Sequence, residues 1–128
     1  MMEERERWPA WLYVSVTAGA ILMALGGVIA LVKPGLLLGP GDAISPGVRV
    51  YAGYLVSRNL ALAAMLLVLL FLRAGRMLQG MMLLTAAIQV LDAVLDVIEG
   101  RRPIVPGVLV FGVVFLLGAR WLGRRVSR

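Results

Sequence analysis

TAAIQVLDAVLDVIEG, residues Thr85 to Gly100, is the stretch on which the reading of the chain turns. Thr85, Gln89, Asp92, Asp96 and Glu99 follow one another at steps of four, three, four and three, which lines them up along one face of a helix. The residues between them are apolar, and the run 77–98 is long enough to cross a bilayer, for which about 20 residues suffice. Carboxylates in such a helix are costly unless they face protein or water. The stripe is therefore expected to look inward and to have partners.

Working outward, the whole chain is apolar enough to make this a membrane context. Its 128 residues are 61% hydrophobic, against about 45–50% in soluble domains. The length allows four spans with short connections. The expected fold is all-α, a four-transmembrane-helix bundle in up-down-up-down order, forming a single integral membrane domain over 1–128. Its spans are expected at about 10–32, 50–72, 77–98 and 104–122. Residues 33–49 form the longest connection; Pro34, Pro40, Pro46 and four glycines between 33 and 48 prevent either neighbouring helix from running through it. The patch Leu36-Leu37-Leu38 suits a loop lying on the membrane interface or capping the bundle. The head, MMEERERW, is acidic as well as basic, and the first apolar run exceeds a signal-peptide core with no A-x-A site after it, so an uncleaved first helix is expected.

Composition also removes several chemistries. With no Cys, there are no disulfides, thiolate nucleophiles or zinc-thiolate sites; with no His, the commonest metal ligand and general base are absent. The seven Met residues read as pliable apolar filler, so no metal and no cofactor is expected. The net charge of +6 sits at span ends and in connections, where it sets topology and meets anionic lipid. No basic face with interleaved aromatics stands apart from the spans, so nucleic acid is not an expected partner. Lys33-Pro34-Gly35 opens no phosphate-binding loop.

Four spans place Arg5, Arg7, Arg73, Arg76, Arg120, Arg124, Arg125 and Arg128 on one side, and Lys33, Arg49, Arg101 and Arg102 on the other. Eight basic residues against four predict both termini in the cytoplasm of a plasma-membrane protein. Trp8, Trp11 and Trp121 then fall at the cytoplasmic ends, as an aromatic belt requires.

The turn at Ala74 and Gly75 is so short that spans two and three must be antiparallel neighbours, and residues at equal depth have numbers summing to about 150. Arg58 then meets Asp92 in height, Tyr54 meets Asp96, and Tyr51 meets Glu99. Tyr51, Tyr54 and Arg58 share one face of the second span. Arg58 and Asp92 lie roughly 9 to 12 Å in from the outer ends of their spans at helical rise. One arginine facing two aspartates leaves a surplus acid, to be protonated, hydrogen-bonded by Tyr54 or Asn59, or matched by a cationic ligand. The candidate ligand-binding residues are Tyr51, Tyr54, Arg58, Asn59, Gln89, Asp92 and Asp96. A closed polar clasp between two helices is the plainer alternative.

With Tyr54-x-x-x-Arg58-Asn59 in the second span, the Arg73-Ala74-Gly75-Arg76 turn, and Gln89-x-x-Asp92 followed by Gly100, the chain resembles small four-span membrane proteins of the DoxX-like and related uncharacterised families. The resemblance covers mainly residues 48–103. It implies the four-span fold and the membrane location, and no activity.

Three functions fit these residues. The first is a module that binds or transports a small polar or cationic ligand, or a lipid, against Asp92 and Asp96; small bundles transport chiefly by pairing, so a homodimer is expected with it. The second is an intramembrane enzyme of epoxide hydrolase, isomerase or cyclase type acting on an apolar substrate. There Asp92, Asp96 and Arg58 are the catalytic candidates, one carboxyl being ionised and the other neutral. The third is a non-catalytic accessory subunit of a larger membrane complex, docking through the small residues of spans one and four.

Overall fold

Proline and glycine punctuation fixes where the helices begin and end. A computed structural model of the chain describes residues 7–38 and 41–126. Residues 1–6 of the head and 127–128 of the tail, with the orientation charges Arg5 and Arg128, lie outside the described residues, as do Gly39 and Pro40 of the long connection. Pro9, in extended backbone, precedes α1 (Ala10–Val32), which stops where Pro34 opens a short 3-10 turn, Pro34–Leu37. Then follow α2 (Pro46–Leu72), α3 (Gly75–Ile98), a second 3-10 turn (Arg102–Ile104) and α4 (Val105–Val126). There is no strand among the described residues.

Three of the expected span limits lie two or more residues from the helix ends observed, each for a local reason. The second span was expected from 50, yet α2 starts at Pro46, because the Ser45 hydroxyl accepts a hydrogen bond from the Val48 N–H at 3.2 Å and Pro46 sits in the first turn, where its missing N–H costs nothing. The expected connection 33–49 is correspondingly shorter at its end. The third helix starts at Gly75 instead of 77, with only Ala74 between it and Arg73, whose left-handed backbone (φ 55°) closes α2. The N–H groups of Arg73 and Ala74 return to Leu70 O and Leu69 O. The fourth helix runs past 122 to Val126, taking in Arg124 and Arg125, basic residues that suit the negative end of a helix dipole.

All four helical segments are long and apolar enough to cross a membrane, and only 22–33% of the most apolar window of each is buried inside the protein. The remainder, with Val32, Phe71 and Ile98 among the most exposed, is apolar surface that water would penalise and lipid would not. The most extensive packing joins α1 to α2 and α3 to α4; α2 and α3 touch, as their short turn demands, over a smaller area, and so do α1 and α4. Two helix pairs therefore meet across a lighter seam.

The seam is filled unevenly. Leu12, Leu66, Leu78, Met82, Phe115 and Leu122 are fully buried in one apolar core that draws on the N-terminal halves of α1 and α3 and the C-terminal halves of α2 and α4. Phe111 stacks on Phe115 with ring centroids 4.6 Å apart and covers the core's edge. Beyond Phe111 the four helices leave a space, and the polar residues of the chain gather there.

Candidate functional site

A cleft of about 340 Å³ occupies the half of the molecule not filled by the apolar core. Leu22, Met23 and Gly26 of α1, the face of α2 that carries Tyr51, Leu55, Arg58 and Asn59, the Gln89, Asp92 and Asp96 face of α3, Arg101 and Ile104 of the last connection, and the start of α4 up to Phe111 contribute its walls. Its volume lies in the range of small-molecule sites, about 300–1,000 Å³, and its mixture of mainly apolar walls with a few convergent polar groups is typical of them.

Arg58 reaches Asp92 with Nη2 to Oδ2 at 3.0 Å, so the two residues placed at equal depth by the short turn do form an ion pair. It joins the two helix pairs across their seam, with the side chains 39% and 30% exposed. Asn59 supports the arginine. Its side-chain oxygen accepts from Arg58 Nε at 3.4 Å, while its Nδ2 donates to the Met23 carbonyl of α1 at 3.1 Å. Asn59 thus ties α2 to α1 and holds the guanidinium at the cleft wall. This approach depends on Gly27, because a Cβ there would stand 3.0 Å from Val56 Cα and 3.2 Å from Asn59 Cβ.

Asp96 is the most buried charged group of the site, its side chain 7% exposed, and it pairs with Arg101 at 2.9 Å. The local fold explains how a residue beyond the helix comes back to it. Gly100 has φ 78°, which an L side chain resists, and two backbone bonds close the helix end: Arg101 N–H to Asp96 O at 2.7 Å and Gly100 N–H to Val97 O at 3.2 Å. Asp96 therefore accepts from Arg101 twice, once by its backbone carbonyl and once by its carboxylate. The charge pattern makes Arg101 a connection charge and leaves one acid in surplus; the structure pairs the two. The available signal was a glycine at the position after a helix end, followed by an arginine and preceded by an acid one turn inside.

The remaining candidates divide. Tyr51 and Gln89 line the cleft with Arg58, Asn59, Asp92 and Asp96. Tyr54 does not: it is 73% exposed, because α2 turns Ala52, Val56 and Ala63 inward and so rotates residue 54 past the cleft edge to the outer surface. The expected meeting of Tyr54 with Asp96 is replaced by the Arg101 pair. Thr85 is fully buried below the cleft and donates to its own helix at Met81 O, 2.7 Å, and Glu99 is exposed at the end of α3.

The chemical character of the site follows. The paired groups connect in the order Arg58, Asp92, Asp96, Arg101: two carboxylates one helical turn apart on α3, each paired with its own guanidinium. The charges balance. A single arginine shared by two acids is not what the geometry presents, since Arg58 meets Asp92 and Arg101 meets Asp96. No group of three or more metal-ligating side chains exists among the described residues. Compared with known proteins, the chain matches no family model, no curated protein and no solved structure.

Proposed function

We propose that this chain is a small multi-pass protein of the plasma membrane, up-down-up-down with both termini cytoplasmic, whose outward half is a binding cleft for a lipid or a small polar molecule. One observation carries the reading: the ion pairs stand at the wall of a cleft of about 340 Å³. A clasp whose only task is to hold two helices needs one pair closed by packing; here Arg58 and Asp92 keep about a third of their side-chain surface open. Charge balance favours a lipid or neutral polar molecule over a simple cation, because each carboxylate already has its arginine.

The proposed topology draws support from the helix contacts. Gly27 and Met23 of α1 meet Val56 and Asn59 of α2, and Gln89 and Met82 of α3 meet Gly112 and Gly118 of α4, so that numbers rising along one helix meet numbers falling along the next. The basic residues and tryptophans support the orientation. Trp11 packs edge-on against Trp121, and Arg73 and Arg125 lie over the Trp8 and Trp121 rings at 5.5 and 5.1 Å from their centroids, at the end away from the cleft. The DoxX-like affinity belongs to the same proposal and rests on Arg58-Asn59 and Asp92.

The test uses Gly26, which borders the cleft and whose added Cβ would meet nothing within 4 Å. Native mass spectrometry of protein extracted in mild detergent should show the wild type carrying a co-purified amphiphile and Gly26→Phe carrying none, with unchanged helix content. Equal adducts on both proteins would reject the cleft as a binding site.

A further inference from the structure

We infer that the cleft recognises a zwitterionic phospholipid head, one that joins a phosphate to a primary ammonium, as in phosphatidylethanolamine. The inference rests on the cleft being a ligand site and goes beyond it to the chemistry of the ligand. Its basis is the order of charges on the wall. Asp92 and Asp96 are four residues apart on α3, which brings their Cβ atoms to about 5–6 Å. Arg58 approaches one from α2, and Arg101 approaches the other from beyond the end of α3. The sequence of charges is therefore cation, anion, anion, cation.

A net charge placed beside this set is poorly matched. The site sums to zero, and a lone cation or anion brought into a low-dielectric cleft leaves an uncompensated charge there. A zwitterion adds none. Its cation fits between the two central carboxylates, and its anion fits an outer guanidinium, which offers a planar fork of donors to phosphate oxygens. A primary ammonium suits that centre better than a quaternary one, because it has three donors to give to carboxylate oxygens, whereas a quaternary group needs an aromatic cage. Among the described residues, the aromatic walls of the cleft are Tyr51 and Phe111. Gln89 and Tyr51, both at the cleft, supply neutral groups for the phosphate ester and glycerol oxygens.

The apolar part of the lining identifies the source of the head. Leu22, Leu55, Leu95, Val108 and Phe111 flank the polar wall and are matched by hydrocarbon, not by a free water-soluble head. These side chains belong to helices whose outer faces are themselves apolar, so acyl chains entering the cleft stay in hydrocarbon surroundings.

The experiment is lipid competition read by native mass spectrometry. Detergent-solubilised protein is titrated with phosphatidylethanolamine, phosphatidylcholine and phosphatidylglycerol of identical chains, and with chain-free glycerophosphoethanolamine. Wild type should retain phosphatidylethanolamine about tenfold better than either other lipid, and the chain-free head should not bind measurably. Asp92→Asn leaves the set one positive charge in excess and should shift preference to phosphatidylglycerol; Asp96→Asn, which unbalances the other pair, should do the same if Asp92→Asn does not fold. Equal retention of the three lipids by wild type, with Gly26→Phe still blocking all of them, would overturn the zwitterion inference while leaving the cleft reading intact. Binding of phosphatidylethanolamine that Gly26→Phe does not reduce would overturn both. Chain-free head binding as tightly as the lipid would overturn the assignment to a phospholipid.

Discussion

Gly26 and Gly27 are adjacent in α1, chemically identical, and predicted to respond oppositely to the same substitution. A Cβ at Gly26 enters open space at the cleft with nothing within 4 Å, so Gly26→Leu starts without a clash and removes a helix-destabilising glycine, a gain of about 1 kcal/mol. A Cβ at Gly27 stands 3.0 Å from Val56 Cα, which is backbone and cannot rotate away, so Gly27→Leu must push α1 and α2 apart. Overpacking of this kind costs about 1–3 kcal/mol. The separation also stretches the Asn59 bond to Met23 O, worth about 1 kcal/mol. Set against the same helix gain, the net loss is about 1–3 kcal/mol, and the two leucine variants should differ by about 3 kcal/mol, or roughly a hundredfold in the folding equilibrium. Reversible unfolding in mixed micelles, followed by fluorescence of the tryptophans, measures the difference. Gly27→Leu as stable as Gly26→Leu would refute the close approach of α1 and α2, and with it the account of how Asn59 holds Arg58.

Further substitutions probe the ion pairs and the helix ends. Arg101→Gln leaves the buried Asp96 carboxylate without its guanidinium and should destabilise by about 3 kcal/mol, whereas the double variant with Asp96→Asn should recover much of that, a coupling that a double-mutant cycle reads directly. The half-open Arg58–Asp92 pair should show a smaller coupling, about 1 kcal/mol, in the same cycle. Gly100→Ala forces an alanine to φ 78° and should cost about 1 kcal/mol, with faster amide exchange at Arg101 as the specific sign. Ser45→Ala removes the cap of α2 and should accelerate exchange of the Val48 amide, consistent with a local loss of about 1 kcal/mol, while leaving the cleft unchanged.

How much of this was legible in the residues depends on whether the signal is local. The four spans follow from apolar run length, and helix ends differ by two to four residues because caps such as Ser45 with Pro46 recruit loop residues into the helix. The Arg58–Asp92 pair was legible because a connection as short as Arg73-Ala74 fixes the register of two helices without further information. What depends on helix rotation was not. Tyr54 and Tyr51 are equivalent candidates by spacing, yet the packing of α2 on α1 through Ala52 and Val56 puts one on the outer surface and the other at the cleft. Asn59 is at the cleft as its spacing predicts, but that its amide also bonds Met23 O of α1 and Arg58 depends on the proximity of Gly27, which the spacing does not show. By charge pattern alone Arg101 is a connection charge; its pairing with Asp96 shows only when Gly100, at the position after the helix end, is read together with the arginine that follows and the acid one turn inside.

The most direct measurement of the central claim is photo-cross-linking with a phospholipid carrying a light-activated group on an acyl chain near the glycerol, followed by peptide mapping of the reconstituted protein. The account predicts labelling concentrated on the cleft, at Leu22, Met23, Tyr51, Leu55, Val108 and Phe111, and its loss in Gly26→Phe. Labelling spread evenly over outward apolar positions such as Leu67, Phe71 and Ile98, and unaffected by Gly26→Phe, would contradict it.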